Sequence, residues 1–401
     1  MEVAFFTDSY PPVRDGVAAV TGGLARTLSR LGHTVRVYAP NFKPGPPSEE
    51  IRNGVTIRRV RTVPVPLYGQ YRWPIWPFGL LRSDRGVKDA DVIHLHTPGL
   101  LGTMAFLASR RFRRPLVGTF HTNIREMQES VPAKFLVPTF FRVAAWYNLG
   151  TYWRCDVATA PTEAARDSLL YGAKKPFHHR VEVIPNGIDV ERFRPDTPVP
   201  DWRARCGLPS APLVTYLGRL TVDKGVHRFL DAVETAIPHT DLVAIVGGLG
   251  PEEGRVRERL AADPQLAARV RYVGPVAETE KAALLSQSDL FVLPSTSDTS
   301  SVALLEAMAC GTPVIAPFSG GASEIVEDGV TGWRVAVTDP GALATSLLKI
   351  LDETEVRRKV GAQAADFVRQ TASLEMMARR FISLYRLVEV ERPLRDVGIP
   401  R

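Results

Sequence analysis

Two cations lie close together in the segment Gly218-Arg-Leu-Thr-Val-Asp-Lys-Gly225. Arg219 brings a planar fork of donors and Lys224 a compact point charge, so together they can hold a diphosphate. The same pair can also be two solvated surface cations. Asp298 and Glu306 stand eight residues apart in Ser297-Asp-Thr-Ser-Ser-Val-Ala-Leu-Leu-Glu-Ala-Met-Ala-Cys-Gly311. Glu306 falls among Val302, Leu305, Met308 and Ala309, and a carboxylate in so apolar a helix needs a partner. Ribose hydroxyls would serve, because an ionised carboxylate only accepts hydrogen bonds; a structural salt bridge would serve as well. The amides of Thr299, Ser300 and Ser301 open that helix and can meet an anion. Near the amino terminus, Asp15-Gly16-Val17 precedes another helix, where free amides beside a small residue suit a phosphate. His94, His96 and His121 each follow an apolar run. They could ligate a metal, donate to sugar hydroxyls or sit packed in the interior. No carboxylate at suitable spacing and no Asp-x-Asp supports the metal, so no metal site is expected.

These residues need rigid elements behind them. Val3–Phe6 reads as a strand, Tyr10–Gly16 as a turn-rich loop, Val20–Leu31 as a helix stopping at Gly32, and Thr34–Tyr38 as the next strand. Further strands are expected at Asp91–His94 and Pro115–Thr119. A second unit of the same kind starts with a strand at Leu213–Leu217 and a loop at Gly218–Gly225. A helix follows at Val226–Ala236, then strands at Leu242–Val246, Val270–Val273 and Leu290–Leu293. A helix from about Ser301 to Ala309 and a strand at Pro313–Ala316 complete it. The pattern gives an α/β chain of two Rossmann-like, doubly wound parallel-sheet halves. Proline is dense between Pro185 and Pro212, which places the boundary there. A ligand cleft between the halves is expected, since open α/β sheets bind at the carboxyl ends of their strands.

Length and composition agree with two domains: 401 residues, 45% hydrophobic and 23% charged, which excludes wholesale disorder. Cys155, Cys206 and Cys310 lie far apart without a CxxC, which excludes a disulfide scaffold and a cysteine zinc cluster. No signal peptide and no run long enough for a spanning helix is read. The net charge is +7, and it is uneven: +10 over residues 1–200 and −3 over residues 201–401. A basic first half suggests an anionic partner, or a solvated arginine-rich surface. No helix-turn-helix, RRM or zinc-finger pattern accompanies it, so nucleic acid is not the expected partner. Tyr68–Leu81 and Ile124–Trp153 mix aromatic and basic residues, as a bilayer interface would, or as a core helix and its packed loop would. Arg110, Arg111, Arg113 and Arg114 add charge for anionic headgroups.

Taken together these segments are more specific than their parts. Phe6-Thr-Asp-Ser-Tyr-Pro-Pro…Asp15-Gly-Val, Leu31-Gly-His-Thr-Val, Ile93-His-Leu-His-Thr-Pro and Thr119-Phe-His-Thr come first. Ile184-Pro-Asn-Gly-Ile-Asp, Leu217-Gly-Arg…Lys224-Gly and Leu304-Leu-Glu-Ala-Met-Ala-Cys-Gly-Thr-Pro-Val-Ile-Ala follow, then Gly320-Gly…Glu324-Ile-Val. In this order the chain resembles the retaining glycosyltransferases of family four, also called glycosyl transferases group 1, which have the GT-B fold. The opening segment is most similar to members that glycosylate membrane lipids.

The resemblance implies roles. Gly16 would approach the donor phosphate and His121 would face the donor sugar. Arg219 and Lys224 would neutralise the diphosphate, Glu306 would hold the ribose, and Asp298 would contact sugar hydroxyls where the family has a glutamate. Val273 and Val276 mark the segment that would meet the nucleobase. Asp298 is one methylene shorter than the family residue. Ser300-Ser301 replaces the common Phe-Gly, and a serine there would be strained if the backbone needed positive φ. Residues 1–190 with a carboxyl-terminal helix at about 373–401 would bind the acceptor, and residues 191–372 the donor.

The implied reaction is hexose transfer from a nucleotide diphosphate sugar, UDP-glucose or GDP-mannose in type, with retention. The leaving phosphate would take the acceptor's proton, so no protein base and no cofactor or metal is expected. A membrane glycerolipid is the expected acceptor, such as diacylglycerol or a phospholipid headgroup. The expected location is the cytoplasm, peripheral at the inner face of the plasma membrane. A soluble small-molecule acceptor and a non-catalytic nucleotide-sugar binder are the alternatives. A nicotinamide oxidoreductase is disfavoured because no clean GxGxxG follows the first strand. The oligomeric state is left open.

Overall fold

The computed structural model describes residues 1–13, 15–42, 46–64, 72–75, 85–121, 137–172, 176–196 and 201–396. It divides the chain into two compact units, one holding residues up to Gly187 together with Leu374 onward, the other Ile188–Ser373. In the first unit β1 (Glu2–Phe6) leads through α1 (Gly16–Arg30) to β2 (Thr34–Pro40), β3 (Ser48–Arg52) and β4 (Val55–Val60). A ribbon of β5 (Thr62–Pro64) and β6 (Arg72–Pro74) and the short α2 (Arg85–Lys88) follow. Then come β7 (Val92–Leu95), α3 (Leu100–Phe112), β8 (Leu116–Thr119), α4 (Val137–Trp153), β9 (Val157–Ala160), α5 (Glu163–Gly172) and β10 (Val181–Val183). The sheet order is β10-β9-β8-β7-β1-β2-β4-β3, parallel except for the β3 edge.

The second unit repeats the plan. It runs α6 (Trp202–Arg205), β11 (Leu213–Leu217), α7 (Val226–Ala236), β12 (Val243–Gly247), α8 (Glu253–Ala262) and α9 (Pro264–Arg269). It continues with β13 (Val270–Gly274), α10 (Glu278–Ser286), β14 (Leu290–Val292), α11 (Val302–Ala309), β15 (Val314–Pro317) and α12 (Gly321–Ile325). The strand β16 (Trp333–Val335) and helices α13 (Pro340–Asp352) and α14 (Thr354–Thr371) close it. Its six strands are ordered β13-β12-β11-β14-β15-β16, all parallel. Most of these strands are buried on both faces, which is why they read in the sequence as short continuous apolar runs.

Register is set at the amino ends of the strands. Asp91, just before β7, accepts the Glu2 amide of β1 at 2.7 Å. Asp156, just before β9, accepts the Leu116 amide of β8 at 2.8 Å, and Asp289, just before β14, accepts the Leu213 amide of β11 at 2.8 Å. Each bond satisfies a first-strand N–H that no ladder partner reaches.

Helix α1 begins at Gly16, ahead of the expected Val20. Asp15 supplies the reason: its carboxylate accepts the Ala18 amide at 2.7 Å and is itself held by the Ser9 hydroxyl. The glycine-rich segment Gly247-Gly-Leu-Gly-Pro251 is a close approach of two loops. Gly248 has φ +141°, and a Cβ there would lie 1.8 Å from the Gly218 carbonyl.

The last helix, α15 (Leu374–Asp396), belongs to the first unit. Leu374 packs against Gly23 of α1, where a Cβ would come within 2.6 Å of it. Tyr385 is fully buried and its hydroxyl meets His94 Nδ1 at 2.7 Å. Tyr385→Phe leaves that nitrogen without a partner, at a cost of about 1–3 kcal/mol. Urea denaturation will show the loss as a lower midpoint for the first unit; an unchanged midpoint would refute this account of how α15 is held.

Candidate active site

Both sheets change winding direction beside their first strand, between β1 and β7 in the first unit and between β11 and β14 in the second. Those are the switch points at which an open α/β sheet leaves a crevice for a ligand. Of the residues singled out in the sequence, His96, Arg219 and Asp298 follow the carboxyl ends of these strands.

In the second unit Arg219 follows β11, and the loop it opens closes at Gly225. Gly225 has φ +73°, and a Cβ there would strike the Pro294 carbonyl at 2.2 Å, so the loop turns tightly under the end of β14. This brings Lys224 to Asp298: its ammonium donates to Asp298 Oδ1 at 2.7 Å and to the Ser297 carbonyl at 2.8 Å. An ammonium has three hydrogens, so one more acceptor can be held. Beneath the pair sits Asp223, only 3% exposed. It accepts the Ser297 hydroxyl at 2.8 Å and lies 3.9 Å from both Arg219 and Lys224. Arg219 remains 41% exposed in its side chain. Two cations thus stand over two carboxylates, and the group is close to neutral before any anion arrives. Asp298 Oδ2 is buried with no hydrogen-bond partner among the described residues.

Ser301 is buried with φ −83° and ψ 103°, ordinary extended backbone, so no positive φ is needed and the serine carries no strain. Its hydroxyl accepts the Leu304 amide at 3.3 Å and caps α11. The condition under which Ser301 would be strained, a positive φ, is therefore not met. Thr299 and Ser300 lie on the bend ahead of the cap.

Glu306, on α11, is 4% exposed, and both its oxygens lie 3.4 Å from Lys281 of α10. Lys281 also binds Glu278 at 2.6 Å, and Arg192 binds Glu278 at 3.2 Å. Burial raises the Glu306 pKa against the pull of Lys281. Burial opposes the charge on Lys281, but Glu306 and Glu278 outweigh it and raise its pKa. At 3.4 Å the Lys281 contacts are long for charge-assisted bonds, and the Glu306 carboxylate keeps lone pairs for further donors. Val273 and Val276 line a cavity of about 340 Å³ with Trp202, Tyr272 and Glu280.

In the first unit Asp8, His96 and His121 follow β1, β7 and β8. Gly16 is the first residue of α1, and its amide and that of Val17 precede the Asp15-capped turn. His94 is fully buried between the Tyr385 and Thr119 hydroxyls, each at 2.7 Å, which makes it a packed histidine. His96 Nδ1 lies 3.2 Å from His121 Nε2. Burial lowers the pKa of His94 and His96 well below the ordinary value and that of His121 to about 4.

Asp8, Asp223 and Lys281 were given no role from the sequence. For Asp223 the signal was present in its place between Arg219 and Lys224. For Lys281 and Glu306 it was not, since 25 residues separate them. Of the two aromatic stretches, residues 65–71, 76–84 and 122–136 lie outside the described residues, as do the side chains of 137–144. On the rest of α4, Trp146, Tyr147 and Trp153 are exposed while Tyr152 and Asn148 are buried. Among the described residues no helix is long and apolar enough to cross a membrane.

Two wound sheets with an anion-suited loop at a switch point define an open α/β architecture that can hold a phosphorylated ligand, and similarity to known proteins gives the family. Residues 200–367 match the model of glycosyl transferases group 1, and residues 14–192 that of glycosyltransferase family 4. A D-inositol 3-phosphate glycosyltransferase of Frankia alni is 31% identical over 85% of this chain and 87% of its own length. A GDP-mannose-dependent alpha-mannosyltransferase of Mycobacterium tuberculosis is 29% identical, covering 84% of each chain. An alpha-monoglucosyldiacylglycerol synthase of Streptococcus pneumoniae is 26% identical over 83% of this chain and 74% of its own. Among solved structures, sucrose-phosphate synthase of Thermosynechococcus elongatus superposes with a TM-score of 0.77 at 22% identity, covering 97% of this chain and all of that one. HepE of Anabaena, solved in complex with UDP, superposes at 0.74 with 21% identity, covering 96% of this chain and all of that one. This chain belongs to the family 4, group 1 glycosyltransferases and is a glycosyltransferase of the GT-B fold.

Asp8 also yields a pH test. Its carboxyl accepts the Thr97 hydroxyl at 2.8 Å beside the amino terminus of α3, and burial nonetheless pushes its pKa from 3.8 up to about 6. Between those values the folded chain keeps a proton the unfolded chain has lost. Its contribution to stability is therefore complete below pH 3.8 and falls as the pH rises through about 6. Melting temperatures of Asp8→Asn and the parent across pH 4–7 should diverge in the variant's favour as pH rises; parallel curves would remove the assignment.

Proposed function

We propose that this chain transfers a hexose of the glucose or mannose type from a nucleotide diphosphate sugar to a membrane glycerolipid, with retention at the anomeric carbon. The observation that carries the donor half is the second unit's pair of stations. Arg219 and Lys224 are grouped at the β11 switch point, and buried Glu306 waits on α11 with lone pairs to spare. The first suits a diphosphate and the second the hydroxyls of a ribose. Val273 and Val276 offer an apolar wall for the base. UDP in HepE and the GDP-mannose named for the mycobacterial relative support a nucleotide-sugar donor.

In this reading the leaving diphosphate develops charge as the glycosidic bond breaks. Arg219, Lys224 and the helix-terminal amides meet that charge without moving far. The departing phosphate oxygen takes the proton of the acceptor hydroxyl, so no protein base is used. His121 and Asp298 orient the sugar, and Gly16 gives the phosphate a close approach to backbone amides. Counter-charge from the two cations makes a metal unnecessary, and transfer should persist in EDTA.

The lipid acceptor is supported by the exposed Trp146, Tyr147 and Trp153 with Arg154 on one side of α4, by the basic first half and by the glucosyldiacylglycerol synthase relative. A soluble acceptor is the second reading, favoured by the inositol 3-phosphate glycosyltransferase relative.

Glu306→Ala should weaken nucleotide binding by about 1.5–3 kcal/mol, the worth of a hydrogen bond to a charged group. Lys224→Ala should lower turnover by roughly tenfold or more, since one preorganised donor contributes about 3 kcal/mol. Calorimetric titration with UDP and GDP reads the first and single-turnover transfer the second. Wild-type values in both variants would defeat the donor site.

The acceptor is decided by incubating the protein with labelled UDP-glucose or GDP-mannose and diacylglycerol-containing anionic vesicles, then partitioning between organic and aqueous phases. Label in the organic phase is expected. Label only in a new aqueous product would replace the lipid with a soluble acceptor.

A further inference from the structure

Four charged side chains of the second unit form a row that ends at Glu306. Arg192, 34% exposed in its side chain, pairs with Glu278 at 3.2 Å. Glu278 pairs with Lys281 at 2.6 Å, and Lys281 reaches both oxygens of Glu306 at 3.4 Å. The Glu306 side chain is only 5% exposed. Two positive and two negative charges balance along the row.

The contacts of Lys281 are unequal. Glu278 stands three residues before it on α10, so the two share a face and meet locally. Glu306 lies on α11, the neighbouring helix. With one short contact to Glu278 and two long ones to Glu306, the ammonium is drawn back from Glu306. A lysine closed onto Glu306 would take the lone pairs that an incoming hydroxyl needs. With no lysine, a carboxyl this deep would tend to keep its proton, since burial disfavours the charged form. Held at 3.4 Å, the ammonium supplies its field and leaves the oxygens able to accept.

The other titratable groups around Glu306 are engaged elsewhere. Arg192 is spent on Glu278. Cys310, one turn along α11, is pushed up to about 12 by burial and by Glu306 itself, so its thiol stays neutral. Arg357, buried on α14, which packs against α11, donates to the Ile350 and Leu351 carbonyls and pairs with Asp289. Burial raises the Glu306 pKa, Lys281 pulls it back, and Glu278 opposes Lys281 more weakly.

We propose that Lys281 is a positioning residue of the donor site: tethered by Glu278, it keeps Glu306 charged while leaving it open to the hydroxyls of a ribose. The link to the ribose rests on the role of Glu306 given above; control of the Glu306 charge does not. Lys281 touches no substrate and acts through Glu306.

The test is a carbon NMR titration of the full chain labelled with ¹³C at the glutamate side-chain carboxyls, with Glu306→Gln used to assign the Glu306 signal. At about pH 7.5 Glu306 of the parent should show the chemical shift of a carboxylate; that of a carboxylic acid overturns the proposal without Lys281 being changed. In Lys281→Met, which removes the charge and keeps most of the side chain's volume, the Glu306 titration should move to higher pH. An unmoved titration also overturns the proposal. Calorimetric titration with UDP and GDP should show affinity about tenfold below the parent's at about pH 6, roughly the worth of a hydrogen bond to a charged group. The deficit should shrink toward zero by about pH 9, where Glu306 ionises without help. A deficit equal at both pH values is a packing effect and overturns the proposal. The 2′,3′-dideoxy nucleotides separate the two roles. The parent should bind them more weakly than UDP and GDP, and Lys281→Met should bind them as the parent does. If the parent binds both sets alike while the carbon titration moves as expected, the ribose role of Glu306 falls and the control by Lys281 stands.

Discussion

A parallel sheet has no hairpins to fix how far one strand slides along the next, and this chain solves the problem with aspartates at strand starts. Asp91, Asp156 and Asp289 each accept the first free amide of a neighbouring strand. A slip by one residue would lose that bond and turn every side chain to the other face. Because the amino ends are pinned, the carboxyl ends are too. Asp8, His96 and His121 leave one sheet as a group, and Arg219 and Asp298 leave the other. The proposed chemistry in both units depends on this register before it depends on any functional side chain.

The second constraint is electrostatic. Cations proposed to hold a diphosphate must be kept in place while none is bound, and like charges at the end of a strand repel. Asp223 and Asp298 resolve this by pairing Arg219 and Lys224 in the free chain. A buried, unpaired Lys224 would cost more than the pair does. The Glu278–Lys281–Glu306 group follows the same rule, with Arg192 completing the balance. Polar groups arranged this way need little reorganisation when charge develops near them, which is the condition for effective electrostatic stabilisation.

What the sequence disclosed and what it withheld follow from distance along the chain. Strands such as Leu213–Leu217 and helices such as Val226–Ala236 were legible because burial on a fixed period leaves its mark locally. The start of α1 was misplaced because Asp15 and Ser9 cap it through a loop, and apolar spacing alone points to Val20. Arg219, Lys224, Asp298 and Glu306 were legible as residue types, yet their partners distant along the chain were not. Lys224 finds Asp298 at a separation of 74 residues, and His94 finds Tyr385 at 291. No periodicity carries such information. The strain suspected at Ser301 was a question of backbone angle, which composition cannot answer.

Asp298 shows how one missing methylene can change a side chain's task. With Oδ1 on Lys224 and Oδ2 buried with no partner among the described residues, its carboxylate is half committed to holding the lysine and half left for another donor. An unsatisfied buried oxygen costs the free chain stability, and a donor that reaches it recovers that cost as binding energy. On the proposed reading that donor is a sugar hydroxyl, and the shorter side chain draws it closer to Lys224 than a longer carboxylate would. The sugar and the diphosphate would then be held by groups that also hold each other. Selection of the sugar would be coupled to neutralisation of the leaving group rather than settled in a separate pocket. Such coupling favours turnover over tight ground-state binding, because the lysine's third hydrogen and Arg219 gain most when the phosphate bears its full charge.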